Sequence, residues 1–290
     1  MSRATTLVVC TINRPAILDE TLRSLLSQPR FESRIVVSGG SEDSAQPETA
    51  ELRDVTFISG TKGLTRQRNA ALSLVGSKYV LFLDDDVELD TQYIESMEAL
   101  FDSRPEIVLA SGHAVLDRLA TRAVVTRPMA IRALKESIPT GGLEDSPRWI
   151  RGHNMFVRTE VARIVGFDEK LPLYGLYEDL DFISRCQRYG KAVHNRHARL
   201  AHLGVLSGRI HDVRLGYSQF ANSWYLMNKG IWKTGIVSRI WAGQLAKNLL
   251  GSCIVSNMDV CDRRARLKGN LFAIADLCRR RLDPENILCL

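Results

Sequence analysis

The chain is 290 residues long with 45% hydrophobic and 25% charged residues, which suits one large domain, or a domain with an extension, around a full hydrophobic core. Its opening apolar stretch is too short for a secretory leader and no uncharged run reaches the ~18 residues of a membrane-spanning helix, so the expectation is a cytoplasmic protein and not an integral membrane one. The net charge of +6 is uneven: residues 196–290 carry 15 Lys and Arg against 6 Asp and Glu, whereas residues 1–195 carry 24 against 27, as in a near-neutral body with a basic tail.

The first half alternates strand and helix signals. TLVVCTI (6–12) is a β-branched apolar run, and Pro15 suits the first turn of a following helix in which Leu18, Leu22, Leu25 and Leu26 share one face. RIVVSGG (34–40) and VTFIS (55–59) read as further strands, and GLTRQRNAALSLVG (63–76) places Leu64, Arg68, Ala71, Leu72 and Val75 at helical spacing. KYVLFL (78–83) is a strand ending in Asp84-Asp85-Asp86; Asp90 then reads as the cap of a helix through Phe101, with no role left for Glu88. EIVLASG (106–112) is a strand, residues 117–147 a long connection rich in Pro and Gly, and residues 149–168 a strand followed by a short helix. A helix is expected over 176–191, two short strands over 192–204, and helices from about 213 onward, with Val213, Tyr217, Phe220, Trp224 and Met227 on one stripe. Apolar strands separated by helices define an α/β class with a mostly parallel sheet covered on both faces, where ligands bind at the carboxyl ends of strands.

Three adjacent aspartates at such an end raise a chemical question. In extended chain Asp84 and Asp86 point one way and Asp85 the other. Two carboxylates on one side can share a hard divalent cation and leave positions for phosphate oxygens, or they can simply solvate a loop. Neither GxGxxG nor GxxxxGK[ST] occurs in the chain, which excludes the glycine-built phosphate loops of dinucleotide and P-loop sites. Cys10, Cys186, Cys253, Cys261, Cys278 and Cys289 share no CxxC spacing, which argues for free thiols and against a zinc framework or disulfide scaffold.

The segments TLVVCTINRPAILDETLRSLLSQ, GLTRQRNAAL, YVLFLDDDVELD, RGHNMFVR, GFDEKLPLYGLYEDLDFISRCQRYG and AHLG occur in the order that resembles family 2 glycosyltransferases, over roughly residues 5–204. The resemblance implies a GT-A fold with a Rossmann-like sheet, an inverting transfer from a nucleotide-diphosphate sugar, and Mg²⁺ or Mn²⁺ as cofactor. It implies Asp84 and Asp86 as the DxD pair, with Asp86 the direct metal ligand and His202 completing the site; Asp85 would lie on the donor side. Thr11, Asn13 and Arg14 follow the first strand where the family holds the nucleotide, although Asn13 can equally cap the next helix. Arg66, Arg68 and Asn69 would border the nucleotide, an arginine there pairing with phosphate or with the aspartates. Gly152 and Asn154 match the loop beside the donor sugar, with His153 and Trp149 on the acceptor side; a tryptophan there can stack on a sugar or fill the core. Glu178-Asp179 matches the family's ED pair, implying Asp179 as general base and Glu178 as its alternate or an acceptor contact. One departure is that SGGSED puts Ser38 and Gly39 where the family carries acids that contact the base, so thymidine or guanosine donors stand beside uridine.

The resemblance implies a catalytic domain over 1–208, with a donor half (1–112) and an acceptor half (113–208), followed by a basic helical extension over 209–290. Tryptophans interleaved with Lys and Arg in that extension suit an anionic membrane surface on the inner face, and hence a polyprenyl-linked or other glycan acceptor. They suit equally a face packed on the body or on a second copy in a homo-oligomer. Two rival readings remain at this stage: a sugar nucleotidyltransferase, and a non-catalytic peripheral membrane or nucleic-acid-binding protein. No RRM or KH signature supports nucleic acid as a partner.

Overall fold

A computed structural model describes residues 4–29, 31–118, 124–139, 141–145, 150–205, 211–252 and 262–290. The chain divides into two units. The first comprises Met1–Lys62, Arg66–Phe167 and Phe182–Gly208, and the second Gly63–Thr65, Asp168–Asp181 and Arg209–Leu290.

The first unit is built on one sheet. Strand β1 (Thr5–Thr11) is buried along its whole length, and Pro15 opens α1 (Pro15–Leu26), which buries Leu18, Leu22 and Leu25. Strands β2 (Arg34–Gly39) and β3 (Val55–Ile58), with the short helix α2 (Pro47–Ala50) between them, extend the sheet on one side of β1, and β4 (Tyr79–Asp84) pairs on the other, all parallel. Helix α3 (Leu64–Leu72) leads to β4, and its residues from Arg66 onward belong to this unit. Beyond β4 the sheet becomes mixed: β8 (Asn154–Arg158) enters antiparallel, followed by β6 (Ile107–Asp117), β9 (Lys191–His202) and β5 (Val87–Leu89). The two-residue strand β7 (Leu143–Glu144) pairs with β9 at the side. Helices α4 (Tyr93–Ser103), α5 (Arg127–Glu136) and α6 (Thr159–Val165) complete the covering, along with α7 (Glu178–Cys186) from Phe182 on. The core joins Leu7, Val9, Leu18, Leu22, Ile35, Leu81, Tyr93, Met97 and Phe156.

Four details differ from the sequence reading. Asp90 does not begin a helix: Val87–Leu89 becomes a strand and α4 starts at Tyr93, while Asp90 pairs with Arg199 at 2.5 Å. Residues 191–202 form one strand, kept paired to β6 by register shifts between Ile107 and Leu109, Gly112 and His113, and Ala114 and Leu116. The long connection contains α5. Glu88 has a role: it is buried, accepts hydrogen bonds from Ser24 Oγ and Arg127 Nη1, and so ties α1, β5 and α5 together.

The second unit is helical. Helices α8 (Asp212–Asn228), α9 (Thr234–Ser252) and α10 (Arg263–Cys278) surround Tyr217, Phe220, Ala221, Ala273 and Ile287, with Leu173, Trp241 and Leu245 packed against them. Helices α8 and α10 cross where both lack a side chain: a Cβ on Gly269 would lie 2.0 Å from the carbonyl oxygen of Val213, and one on Gly216 2.1 Å from that of Arg266. Buried amides join the crossing, with Asn248 Nδ2 donating to Asn270 Oδ1 and Asn270 Nδ2 to the Gly216 carbonyl, each at 2.7 Å. Satisfied in this way, a polar layer can sit inside a helical core.

Candidate metal centre and catalytic acids

The chain leaves β4 at Asp84, turns through Asp85 and Asp86, and re-enters the sheet as β5, whose Val87 lies opposite His202 of β9. That pairing brings Asp86 beside the imidazole, and the Asp86 carbonyl accepts a hydrogen bond from Leu203 N at 2.9 Å. Asp84, Asp86 and His202 each offer one ligand atom, all within 4.8 Å of one another. A hard divalent cation with oxygens at about 2.1 Å sets opposite ligands about 4.2 Å apart, so a small closure would let these three groups share one ion. The two carboxylates suit Mn²⁺ or Mg²⁺, and the imidazole, a donor favoured by transition ions, suits Mn²⁺ better than Mg²⁺. The donor set therefore fits a divalent metal.

Asp85 lies outside that trio, although Arg14 spans it and Asp86, with Nη1 3.7 Å from Asp86 Oδ2. Asp85 is fully buried, accepts from Thr11 Oγ1 at 2.5 Å and lies 2.6 Å from Arg14 Nη2, while its carbonyl accepts from Thr21 Oγ1 at 2.6 Å. Burial pushes its carboxyl up to about 7 against the pull of Arg14. Burial acts on Asp84 and Asp86 too, with different outcomes. It prevails at Asp84, where repulsion from Asp86 adds to it and Arg68 opposes it, so that carboxyl is raised. At Asp86 it is outweighed by His202, Arg14 and the Val205 N–H, which donates to Oδ2 at 2.7 Å, so that carboxyl is lowered. His202 is driven up to about 10: burial opposes the charge, but hydrogen bonds to Asp117 and Asp86 outweigh it. With no cation bound, the imidazolium balances the carboxylates; a divalent ion would take over that charge and displace the proton.

His153 stacks on His202 with ring centroids 4.4 Å apart and planes 5° from parallel. Burial, reinforced by the charge on His202, lowers it to about 3, so it stays neutral. The loop before it supplies the Gly152 carbonyl to Arg68 Nη2 at 2.8 Å. Arg68 is buried, lies 3.7 Å from Asp84 and places its guanidinium over Phe167. It fits the aspartate-pairing alternative for that position. Arg66 is exposed.

Other residues singled out from sequence are engaged inside the fold. Asn69 exchanges two hydrogen bonds with the main chain of Phe167, at 2.9 and 2.8 Å. The Asn154 amide bonds the main chain of Gly112 in both directions and accepts from Tyr93. Ser38 is fully buried at the end of β2. Asn13 does not cap α1: the cap position is Arg14, with no side-chain cap, and Asn13 is exposed in the left-handed region at φ 53°, which asparagine tolerates better than most residues. Trp149 lies outside the described residues. Two residues that sequence reading passed over contribute here: Gln67, whose Nε2 bridges the carbonyls of Thr11 and Ser38, and Asp117, the partner of His202.

The paired acids belong to the second unit. A loop with three left-handed residues, Leu173, Gly175 and Tyr177, delivers the chain to Glu178. Such backbone costs about 1–2 kcal/mol at each non-glycine position and persists only where its surroundings fix it. Leu173 is fixed by Leu64 N, which donates to its carbonyl at 2.8 Å, and Tyr177 by edge contact with Trp232. Glu178 is buried and Asp179 half-buried, with Asp179 Oδ1 accepting from Leu180 N at 2.9 Å. The third acid, Asp181, is fully buried and 2.6 Å from Lys229 Nζ, which also holds Asp168 at 2.6 Å.

A mixed α/β sheet with two carboxylates and a histidine clustered at a strand end, able to hold a metal ion, agrees with a GT-A-like fold. The chain matches the glycosyl transferase family 2 model over residues 6–160, and it belongs to that family. Membership in a family of glycosyl transferases sets aside the nucleotidyltransferase and non-catalytic readings. One curated relative, the glucosyl-dolichyl phosphate glucuronosyltransferase of Haloferax volcanii, is 28% identical over 123 residues, covering 40% of this chain and 39% of that protein. Crystal structures of S. aureus TarS share the fold. TarS 1–349 aligns at TM-score 0.51 and 16% identity over 95% of this chain and 91% of that one. Its complex with UDP-GlcNAc aligns at 0.52 and 15% over 77% and 66%.

Proposed function

We propose that the protein is an inverting glycosyltransferase that moves a sugar from a nucleotide-diphosphate donor to a hydroxyl of a glycan or polyprenyl-linked acceptor. The observation that carries this reading is the Asp84–Asp86–His202 cluster at the end of β4 and β9 in a family 2 sheet. Mg²⁺ or Mn²⁺ held there would neutralise charge on the departing diphosphate. Asp179 accepts the proton of the acceptor hydroxyl, whose oxygen bonds to the anomeric carbon from the side opposite the diphosphate as the bond to the diphosphate breaks. Glu178 orients the acceptor, together with His153 and Trp149. Thr11, Asn13, Arg14, Ser38, Arg66, Arg68, Asn69, Asp85, Gly152 and Asn154 form the donor side, Thr11 and Arg14 by fixing Asp85 and Arg68 by fixing Asp84.

In this reading residues 1–112 serve the donor, 113–208 the acceptor, and 209–290 form the basic extension. The dolichyl phosphate in the name of the Haloferax relative favours a polyprenyl-linked acceptor, and the UDP-GlcNAc bound to TarS favours a nucleotide-diphosphate donor. Among the described residues no helix is long and apolar enough to cross a membrane; the basic helices of 209–290 would meet a lipid-linked acceptor at the cytoplasmic face. A thermal-shift and calorimetric screen of UDP, GDP and dTDP with and without Mg²⁺ or Mn²⁺ tests the proposal. Metal-dependent binding of at least one is expected; binding of none, or binding indifferent to chelation, would refute it.

A further inference from the structure

We propose that Asp117 is a positioning residue of the metal centre, holding His202 in the tautomer and orientation that present its Nε2 to the cation. The inference rests on the metal reading above and adds a residue that no motif of the chain indicates. Asp117 ends β6 directly opposite His202 in the β6–β9 pairing, with Oδ1 3.0 Å from Nδ1. With the ring proton on Nδ1 and donated to Asp117, the lone pair of Nε2 is left for a ligand, and that nitrogen lies 3.5 Å from Asp86 Oδ1.

Two further constraints make the arrangement a built one. The register shift between Ala114 and Leu116 brings Asp117 level with His202; without it the carboxylate would fall out of step with the ring. The His153 ring lies flat against His202 and closes one face of it, so the imidazole is restrained both in its plane and across it. Asp117 is 21% exposed while His202 is 6% exposed, so the carboxylate backs a buried ligand from the partly wet side. A carboxylate behind a metal-bound histidine fixes the ring and raises its basicity, and removing such a partner lowers metal affinity about 10–100-fold.

The inference predicts a graded series. Asp117→Ala removes both the acceptor and the charge; Asp117→Asn keeps an acceptor for Nδ1–H and loses only the charge. Titration of the whole chain with MnCl₂ alone, followed by the paramagnetic resonance of free Mn²⁺, should show Asp117→Ala binding about 10–100-fold more weakly than wild type and Asp117→Asn recovering most of the loss. Mg²⁺ competition in the same samples should show a smaller preference for Mn²⁺ in Asp117→Ala and, more strongly, in His202→Ala, because the first loosens the imidazole ligand and the second removes it, which favours the harder ion. Global destabilisation would not change that ratio. Asp86→Ala separates the two claims. If it loses Mn²⁺ while Asp117→Ala binds as wild type does, the role of Asp117 is wrong and the metal reading stands. If Asp86→Ala also binds Mn²⁺ like wild type, both are overturned.

Discussion

Replacing Lys229 by Met tests how the first turn of α7, which carries Glu178 and Asp179, is anchored. Lys229 Nζ lies 2.6 Å from both Asp168 Oδ2 and Asp181 Oδ1, and Tyr225 OH donates to Asp168 at 2.8 Å. At an effective dielectric of about 20, each ion pair at that separation carries about 6 kcal/mol of gross attraction, most of it offset by dehydration and by repulsion between the carboxylates. Removing one partner of a buried pair costs about 3–5 kcal/mol; since Lys229 is 26% exposed, the lower figure, about 3 kcal/mol, applies. Burial would raise Asp168, but Lys229 and Tyr225 outweigh it and hold its carboxyl low. A carboxyl lowered by folding contributes stability above its unfolded value of about 3.9 and loses it as pH falls through the folded value. The Lys229→Met deficit should therefore be full at pH 7 and shrink below about pH 4. Urea unfolding followed by tryptophan fluorescence suits the measurement, because Trp224, Trp232 and Trp241 all lie in the second unit. A loss below about 1 kcal/mol at pH 7, or a deficit that persists in acid, would refute the reasoning.

Three further outcomes are expected. Burial, aided by the charge of His113, holds His194 down at about 4, neutral and bonded to Ser111 Oγ at 2.9 Å. The unfolded chain, with a histidine near 6.5, binds the extra proton first, so stability should fall by up to about 3 kcal/mol as pH drops from about 6.5 towards 4, and His194→Gln should flatten that limb of an acid-denaturation curve. Gly269→Ala forces a methyl group to within 2.0 Å of the Val213 carbonyl oxygen, and the helices must separate; a loss of about 3 kcal/mol or more is expected in chemical denaturation. Gly175→Ala places a side chain at φ 63° with its Cβ 3.0 Å from Glu178 Cγ; kcat should fall at least ~10-fold, equivalent to about 1.4 kcal/mol, with Mn²⁺ affinity unchanged, and an unaltered kcat would show that Glu178 has no need of its present place.

The grouping of Asp84 with Asp86 apart from Asp85 was legible in their spacing, although Asp85 and Asp86 lie in a turn and the period of two of an extended chain does not run through them. The strand–helix order of the first unit was legible because fully buried runs such as Thr5–Thr11 admit few alternatives. Asp117 was hidden by long-range pairing. The apolar residues of β6 resume at Ala114-Val115-Leu116, but the register shifts that set Asp117 opposite His202 arise only in pairing with β9. Val87–Leu89 is too short to declare itself against the helix that follows, so Asp90 looked like a cap. Gln67 stands between two arginines that draw attention, and its value lies in reaching two strand-end carbonyls. Lys229 and Asp181 are linked through the packing of the second unit, which no local periodicity encodes.

The central claim is that Asp84, Asp86 and His202 hold a divalent cation for transfer from a nucleotide sugar. Its most direct test is release of nucleoside diphosphate from a panel of UDP-, GDP- and dTDP-sugars, compared between wild type and Asp86→Ala with Mn²⁺ and after chelation. The account predicts release from at least one donor that requires the metal and falls by a factor of ~100 or more in the variant, in line with the loss of a charge-stabilising group. Release that survives both chelation and Asp86→Ala would contradict it.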